Sequence, residues 1–177
     1  GLAFVKESMN TTGGYINKKG EYVIPPVFIK GRSFRNGFAA VQIKNKEYHE
    51  FIEETESTFV PPDEAYCFIN TQGEMALPKI FQNITYGQER YICEYKGTTE
   101  IYDGQLQLLK TCDMVLSSSP YGDTFLSDGD RQYVIGTRDS LYHLIDYDTG
   151  EVIFTAPPKC HIGYVRNDIV SVEGWNI

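Results

Sequence analysis

The chain has no uninterrupted apolar run near the ~20 residues that a membrane-crossing helix requires. No signal-peptide pattern stands at its start, which is Gly1 rather than Met, as in a mature form or an excised fragment. It has no basic excess: 16 Lys and Arg face 24 Asp and Glu, for a net charge of −8. That sign repels the phosphate backbone, so nucleic acid is disfavoured as a partner. No CxxC pair occurs among Cys67, Cys93, Cys112 and Cys160, and no spacing suits a zinc site. Nor is there a GxGxxG or Walker loop to cradle phosphate, or a GxSxG elbow around the serines of "LSSSPYGD". No cofactor or metal is therefore expected, and no catalytic residue is singled out.

What the chain does have is β chemistry. Of its 177 residues, 13 are Tyr and 10 are Phe, and 41% are apolar, ordinary for one globular domain or one repeat array. "INKKGE" pairs Asn17, whose side chain caps a type I turn, with Gly20 at the closing left-handed position. "INTQGE" repeats it with Asn70 and Gly73. "YDGQ" offers Asp103-Gly104, a pair suited to a two-residue type I′ turn, and "IDYDTGE" offers Asp146 and Gly150. Apolar pairs precede each turn: Tyr15-Ile16, Phe68-Ile69, Ile101-Tyr102 and Leu144-Ile145. Pro25 aligns with Pro78, and a proline without an N–H is expected to mark the exit of the strand after the turn.

Further strands precede the hairpins: "GLAFVKE", "GFAAVQIK", "ERYICEYK" and "NDIVSVEG" alternate with period two, as half-buried strands do. In the fourth unit "DTFLSDG" and "RQYVIGTR" compete for that role. The expectation is an all-β fold of antiparallel hairpin repeats, closed like a propeller or open as stacked small sheets. The units fall near 1–36, 37–88, 89–122 and 123–163, with a partial unit at 164–177 and an acidic insertion at 45–64.

These motifs resemble the bacterial WG-containing repeat. Its unit runs as a Gly-Leu-Ala-x-Val strand, a Trp-Gly-Tyr-Ile-Asp strand, Gly, Val-Ile-x-Pro, an aromatic, and a polar link ending in Phe-x-x-Gly. Unit one matches at Gly14-Tyr15-Ile16-Asn17, Gly20, Val23-Ile24, Pro26, Phe28, Phe34 and Gly37. Unit two matches at Phe68-Ile69-Asn70, Gly73, Pro78 and Phe81. The later units match only in the turn and the apolar strands. Gly13 and Tyr66 stand where the motif has Trp, and the one Trp, Trp175, follows the last strand. The resemblance implies a β-rich repeat and supplies no catalytic residues. The chain opens inside a strand and stops near another hairpin without a polar cap, which implies a longer array or covered ends.

The insertion is the expected functional decoration. It carries Glu47, Glu50, Glu53, Glu54, Glu56, Asp63 and Glu64 beside His49, Phe51, Ile52, Phe59 and Val60. His49, Glu50, Phe51, Glu53, Glu54 and Phe59 form the candidate binding surface; the plain alternative is a solvated excursion. "KEYHEFIEETES" also suits a short helix, on which His49 and Glu53 would share a face, but HExxH needs a second His where Glu53 stands. His143 reads as a strand histidine, and Cys160-His161 is two ligands only. Asp146, Asp148 and Glu151 read as turn residues, or as the carboxylates of a glycan hydrolase or lyase. The rings of "PPVF", "PKIF" and "SPYGD" either line one side of the array as a binding row or plug the space between units. The expectation is a non-catalytic binding module for a protein or surface polymer; a spacer within a larger protein is the other non-enzymatic reading.

Overall fold

The computed structural model describes residues 1–44, 64–87, 89–117 and 125–174, which hold 17 strands and no helix. The candidate surface residues His49, Glu50, Phe51, Glu53, Glu54 and Phe59 lie outside the described residues, as does the stretch read as a short helix.

The turn is the generating element. The Lys19 and Glu21 amides donate to Asn17 Oδ1 at 2.8 and 3.1 Å, and Asn17 Nδ2 donates to Glu21 Oε2 at 2.9 Å. Asn70 repeats this with the Gln72 and Glu74 amides, both at 3.0 Å, and with Glu74 Oε2 at 2.9 Å. Gly20 and Gly73 close the two turns at φ 84° and 88°. The third turn is a correction. It is not the two-residue type I′ turn expected of Asp103-Gly104, but the same turn as the first two. Asp103 accepts from the Gln105 and Gln107 amides at 2.8 and 2.9 Å, and Leu106 closes it at φ 59°. An L-residue there is strained by about 1–2 kcal/mol. Leu106 is buried in an inter-sheet core, and that burial offsets the strain.

Because nothing crowds a Cβ at Gly20, Gly20→Ala is expected to cost only the backbone term, about 1 kcal/mol. Gly73→Ala should cost more, since its Cβ would meet Ile24 Cγ2 at 3.0 Å. Urea midpoints of the two variants check the ranking.

Five small antiparallel sheets follow one another along the chain. Sheet I has β1 (Ala3–Lys6), β2 (Gly13–Ile16) and β3 (Tyr22–Phe28) in that order. Sheet II orders β4 (Lys30–Gly31), β5 (Phe38–Lys44) and β6 (Glu64–Asn70). Sheet III holds β7 (Asn83–Gly87), β8 (Arg90–Tyr95), β9 (Thr98–Tyr102) and β10 (Leu108–Cys112), with β7 and β10 at its edges. Sheet IV places β11 (Val115–Ser117) and β12 (Phe125–Asp128) along one side of β13 (Arg131–Arg138), then β14 (Leu141–Asp146) and β15 (Val152–Thr155). Sheet V pairs β16 (Cys160–Arg166) with β17 (Ile169–Gly174). Both fourth-unit candidates are therefore strands, β12 and β13, and they pair with each other.

None of the sheets closes into a barrel. Each packs on the next, and four cores fill the four junctions. Strand alternation divides the side chains between junctions. On β6, Cys67 and Ile69 face sheet I while Phe68 faces sheet III; on β9, Tyr102 faces sheet II while Ile101 faces sheet IV. Interior strands are thus buried on both faces rather than half-buried. Val41 and Ala40, neighbours on β5, fill different cores. This is why "FAAVQI" reads as a nearly continuous apolar run.

Proline placement also departs from expectation. β3 runs on through Pro25 and Pro26 to Phe28. It is the edge of sheet I, where a missing N–H breaks no outer ladder. The second unit has no such strand, only an isolated bridge from Ile69 to Met75 before its proline.

Candidate interaction surface

The rings of "PPVF" and "PKIF" do not form a binding row, and that of "SPYGD" lies outside the described residues. Phe28 and Phe81 are fully buried, Phe28 against Tyr15 and Phe81 against Phe68 and Tyr102. They plug the spaces between sheets, because each junction needs large apolar volume and the chain supplies it from the strand after the turn.

A different row is exposed. The strand after the turn carries one extra residue at the same place in three units: Val23 opposite Tyr15-Ile16, Leu109 opposite Ile101-Tyr102, and Ile153 opposite Leu144-Ile145. These bulged residues are 46%, 49% and 52% exposed. Their neighbours Tyr22, Leu108 and Val152 are exposed as well. β3, β10 and β15 are the edge strands of their sheets, so each bulge lies at an open sheet edge. A bulge twists an edge away from indiscriminate pairing, yet here it also points an aliphatic residue outward. The signal was present in "EYV", "QLL" and "EVI", an apolar pair just after each turn. Sequence reasoning missed it because a period-two pattern assigns one of each pair to the core.

Side-chain hydrogen bonds brace the sheets against one another. Lys110, on β10, donates from Nζ to the Tyr147 carbonyl and to the Asp148 carbonyl at 3.2 Å, tying sheet III to the fourth turn. Arg90 donates to Gln132 Oε1 at 3.0 Å and lies 4.5 Å from the Tyr147 ring centre. Asn36 Nδ2 donates to the Gly104 carbonyl at 3.1 Å, joining sheet II to the third turn. The Asp168 amide donates to Asp128 Oδ2 at 2.8 Å, which holds that carboxyl below its usual range and links sheets IV and V.

One ionic cluster lies inside a junction. Glu100 replaces the motif glycine (Gly14 in unit one) and its carboxylate is buried between sheets II and III. Lys79 Nζ donates to both of its oxygens at 2.8 and 2.9 Å, and Tyr102 Oη donates to Oε2 at 2.5 Å. Lys79 also sits 5.0 Å from the Tyr95 ring centre. Burial first, and then the bond to Glu100, pushes the Tyr102 phenol above its ordinary value. The geometry satisfies the carboxylate fully, as a structural substitution for a small residue must.

The other sequence-selected groups are dispersed. Asp146 accepts from the Thr149 amide and hydroxyl at 2.8 and 3.0 Å, and the amide holds its carboxyl low. It caps its own turn, as its place in the repeat requires. Buried His143 pairs its Nδ1 with Thr155 Oγ1 at 2.9 Å. The His161 ring lies tilted against Tyr142, with ring centres 4.5 Å apart. Among the described residues, no three His, Cys, Asp or Glu side chains converge as metal ligands would.

The four thiols are free. Burial pushes Cys67 up to about 12, and raises Cys93 and Cys112. Thiolate is the reactive form. A disulfide reagent at pH 8 should therefore titrate Cys160, the half-buried thiol, within minutes, and the other three only after unfolding.

The fold is an open array of small antiparallel sheets stacked in series. The family model described as the WG containing repeat matches residues 14–46 and 66–86, under a third of the chain. The resemblance read from the first two units therefore holds over those two segments. No curated protein matches the chain. A crystal structure of a protein of unknown function from Bacteroides caccae is similar over 82% of this chain, at 11% identity and a TM-score of 0.34. The chain spans 54% of that protein's length.

Proposed function

We propose that this chain is a non-catalytic binding module whose contact surface is the bulge row Val23, Leu109 and Ile153, and that its partner is a protein. The observation that supports this is the recurrence of an exposed aliphatic pair at one structural position in three units. Scattered exposed apolar residues need no explanation, but recurrence at one equivalent edge position of stacked units is how repeat proteins build an extended contact surface. A row of branched aliphatics with no ring platform suits a polypeptide better than a sugar, which stacks on aromatic faces. Lys110, next to Leu109 on β10, supplies a polar margin.

A photo-crosslinking residue at Leu109 tests this. In the native host, Leu109 should capture a discrete protein, while the same residue at Met9, which is exposed in the loop between β1 and β2, should not. Val23→Ser with Ile153→Ser should reduce the Leu109 capture at least several-fold without lowering the urea midpoint. Equal capture from Leu109 and Met9 refutes the row.

A further inference from the structure

Sheet I has an outward face that repeats part of a face used inside the stack. On sheet II, Ala39 and Val41 of β5 and Ile69 of β6 turn toward sheet I and are buried under Tyr15, Ile24 and Phe28. Ala39 pairs with Ile69 in the ladder. On sheet I the corresponding residues are Ala3, Val5 and Ile16, and Ala3 pairs with Ile16 in the same way. These three residue types are identical, whereas Ile43, Ala65 and Cys67 of the interior face answer to Glu7, Thr12 and Gly14 here. Ala3, Val5 and Ile16 lie on the side of the sheet opposite Phe4 and Tyr15, which face the first core. Here they are uncovered: Ala3 is exposed and Val5 and Ile16 are half-buried, with exposed Tyr22 opposite Ile16.

The edge of the sheet repeats the pattern. β5 is flanked by β4 through Lys30↔Gln42 and Gly31↔Val41. The counterparts of Gln42 and Val41 on β1 are Lys6 and Val5. Among the described residues no strand pairs with that edge of β1. Face and edge thus lack the two things that one sheet of this repeat supplies together to its successor: an aromatic of the Tyr15 kind over the small Ala-Val pair, and a short strand of the β4 kind along the edge.

We infer that the outward face of sheet I is a docking surface for one further sheet of this same repeat, seated as sheet I is seated on sheet II. Continuity with the interior junction identifies the occupant. Ala and Val leave room for a ring that a flat sheet of bulky aliphatics would exclude, and the open edge asks for a strand in antiparallel register. This face shares Tyr22 with the binding row, whose other members lie on the edge strands of sheets III and IV.

The test lengthens the chain at Gly1 by a second copy of residues 1–36. The phase of the repeat is kept, because Asn36 then precedes Gly1 as it precedes Gly37. The lengthened chain should unfold in urea in one transition, with an m-value greater by roughly one-fifth, since m scales with the surface exposed. Amide exchange at Val5 and Ile16 of the original copy should slow by about tenfold or more as the new junction protects them. Ile16→Glu in the original copy should abolish both effects, while leaving the midpoint of the unlengthened chain nearly unchanged, because Ile16 there fills no core. A separate transition for the added copy with unchanged exchange at Val5 and Ile16 overturns the inference. So does a lengthened chain that fails to fold, since it would use the same junction as sheets I and II.

Discussion

Replacing Phe68 with alanine is expected to lower the unfolding free energy by about 4 kcal/mol, the range for a fully buried phenylalanine. Phe68 sits at 0% exposure in the core between sheets II and III. Its ring meets Phe81 at 5.9 Å and Tyr91 at 4.8 Å, both edge to face. Such pairs add about 0.5–1.5 kcal/mol beyond the area they bury. Three rings from three segments meet there, so neighbours cannot collapse into the void without moving two sheets. The serial architecture adds a second consequence. In a stack where each sheet touches only its neighbours, stability is a sum of unit and junction terms. Weakening the II–III junction should uncouple sheets I and II from sheets III to V. Amide exchange would then show Val41 and Ile135 opening at different free energies, where the native chain opens them together. Phe68→Leu, which keeps most of the volume, should cost far less and preserve a single transition. A Phe68→Ala loss below about 1 kcal/mol with one shared transition would mean that the junctions are not the units of cooperativity.

The parts of this fold that local chemistry dictates were legible in the sequence. Asn17 and Asn70 cap their turns as read, and Gly20 and Gly73 close them at positive φ. The first two units resemble each other because the same short-range hydrogen bonds shape both. The sequence misled where tertiary burial outweighed local preference. Asp103-Gly104 suits a tighter turn, but Leu106 gains a core position by closing the longer one, and Gly104 instead gives its carbonyl to Asn36. Period-two alternation identified the strands but not their double burial, because stacking on both faces removes the polar half of the pattern. Phe28 and Phe81 look exposed beside their prolines; only the neighbouring sheet shows that they are covered. The apolar pairs marked the place of the bulge row but not its outcome, for a related reason. One extra residue shifts the ladder, and nothing in "YV", "LL" or "VI" says which side chain the shift will release.

Replacing Lys79 with methionine is expected to cost about 3 kcal/mol, the lower end of the range for breaking a buried ion pair from one side. The lower end applies because the Lys79 side chain is 32% exposed while that of Glu100 is 9% exposed. Water already shares the ammonium, so its removal matters mainly through the carboxylate left behind. Glu100 would keep only the Tyr102 hydroxyl in a junction otherwise lined by rings. The double variant Lys79→Met with Glu100→Met should recover most of the loss, since an apolar pair of similar volume suits that core. If the double variant is as unstable as the single, the cost lies in lost packing over Tyr95 and not in the orphaned charge. The same cluster sets an alkaline limit. The Tyr102 phenol is raised above its ordinary 10.0, first by burial and then by its bond to Glu100. A raised folded-state value favours the protonated phenol in the native state, so this stabilisation is complete below pH 10 and declines as pH climbs beyond it. Tyr15 and Tyr91 are raised by burial in the same sense and contribute to the same decline. Tyr102→Phe should therefore lower stability at pH 7 by about 1–2 kcal/mol through the lost charge-assisted bond. It should also flatten the fall in urea midpoint between pH 9 and 11. An unchanged alkaline slope in Tyr102→Phe would place the limit in the other buried phenols, and an unchanged midpoint at pH 7 would deny the bond any net worth.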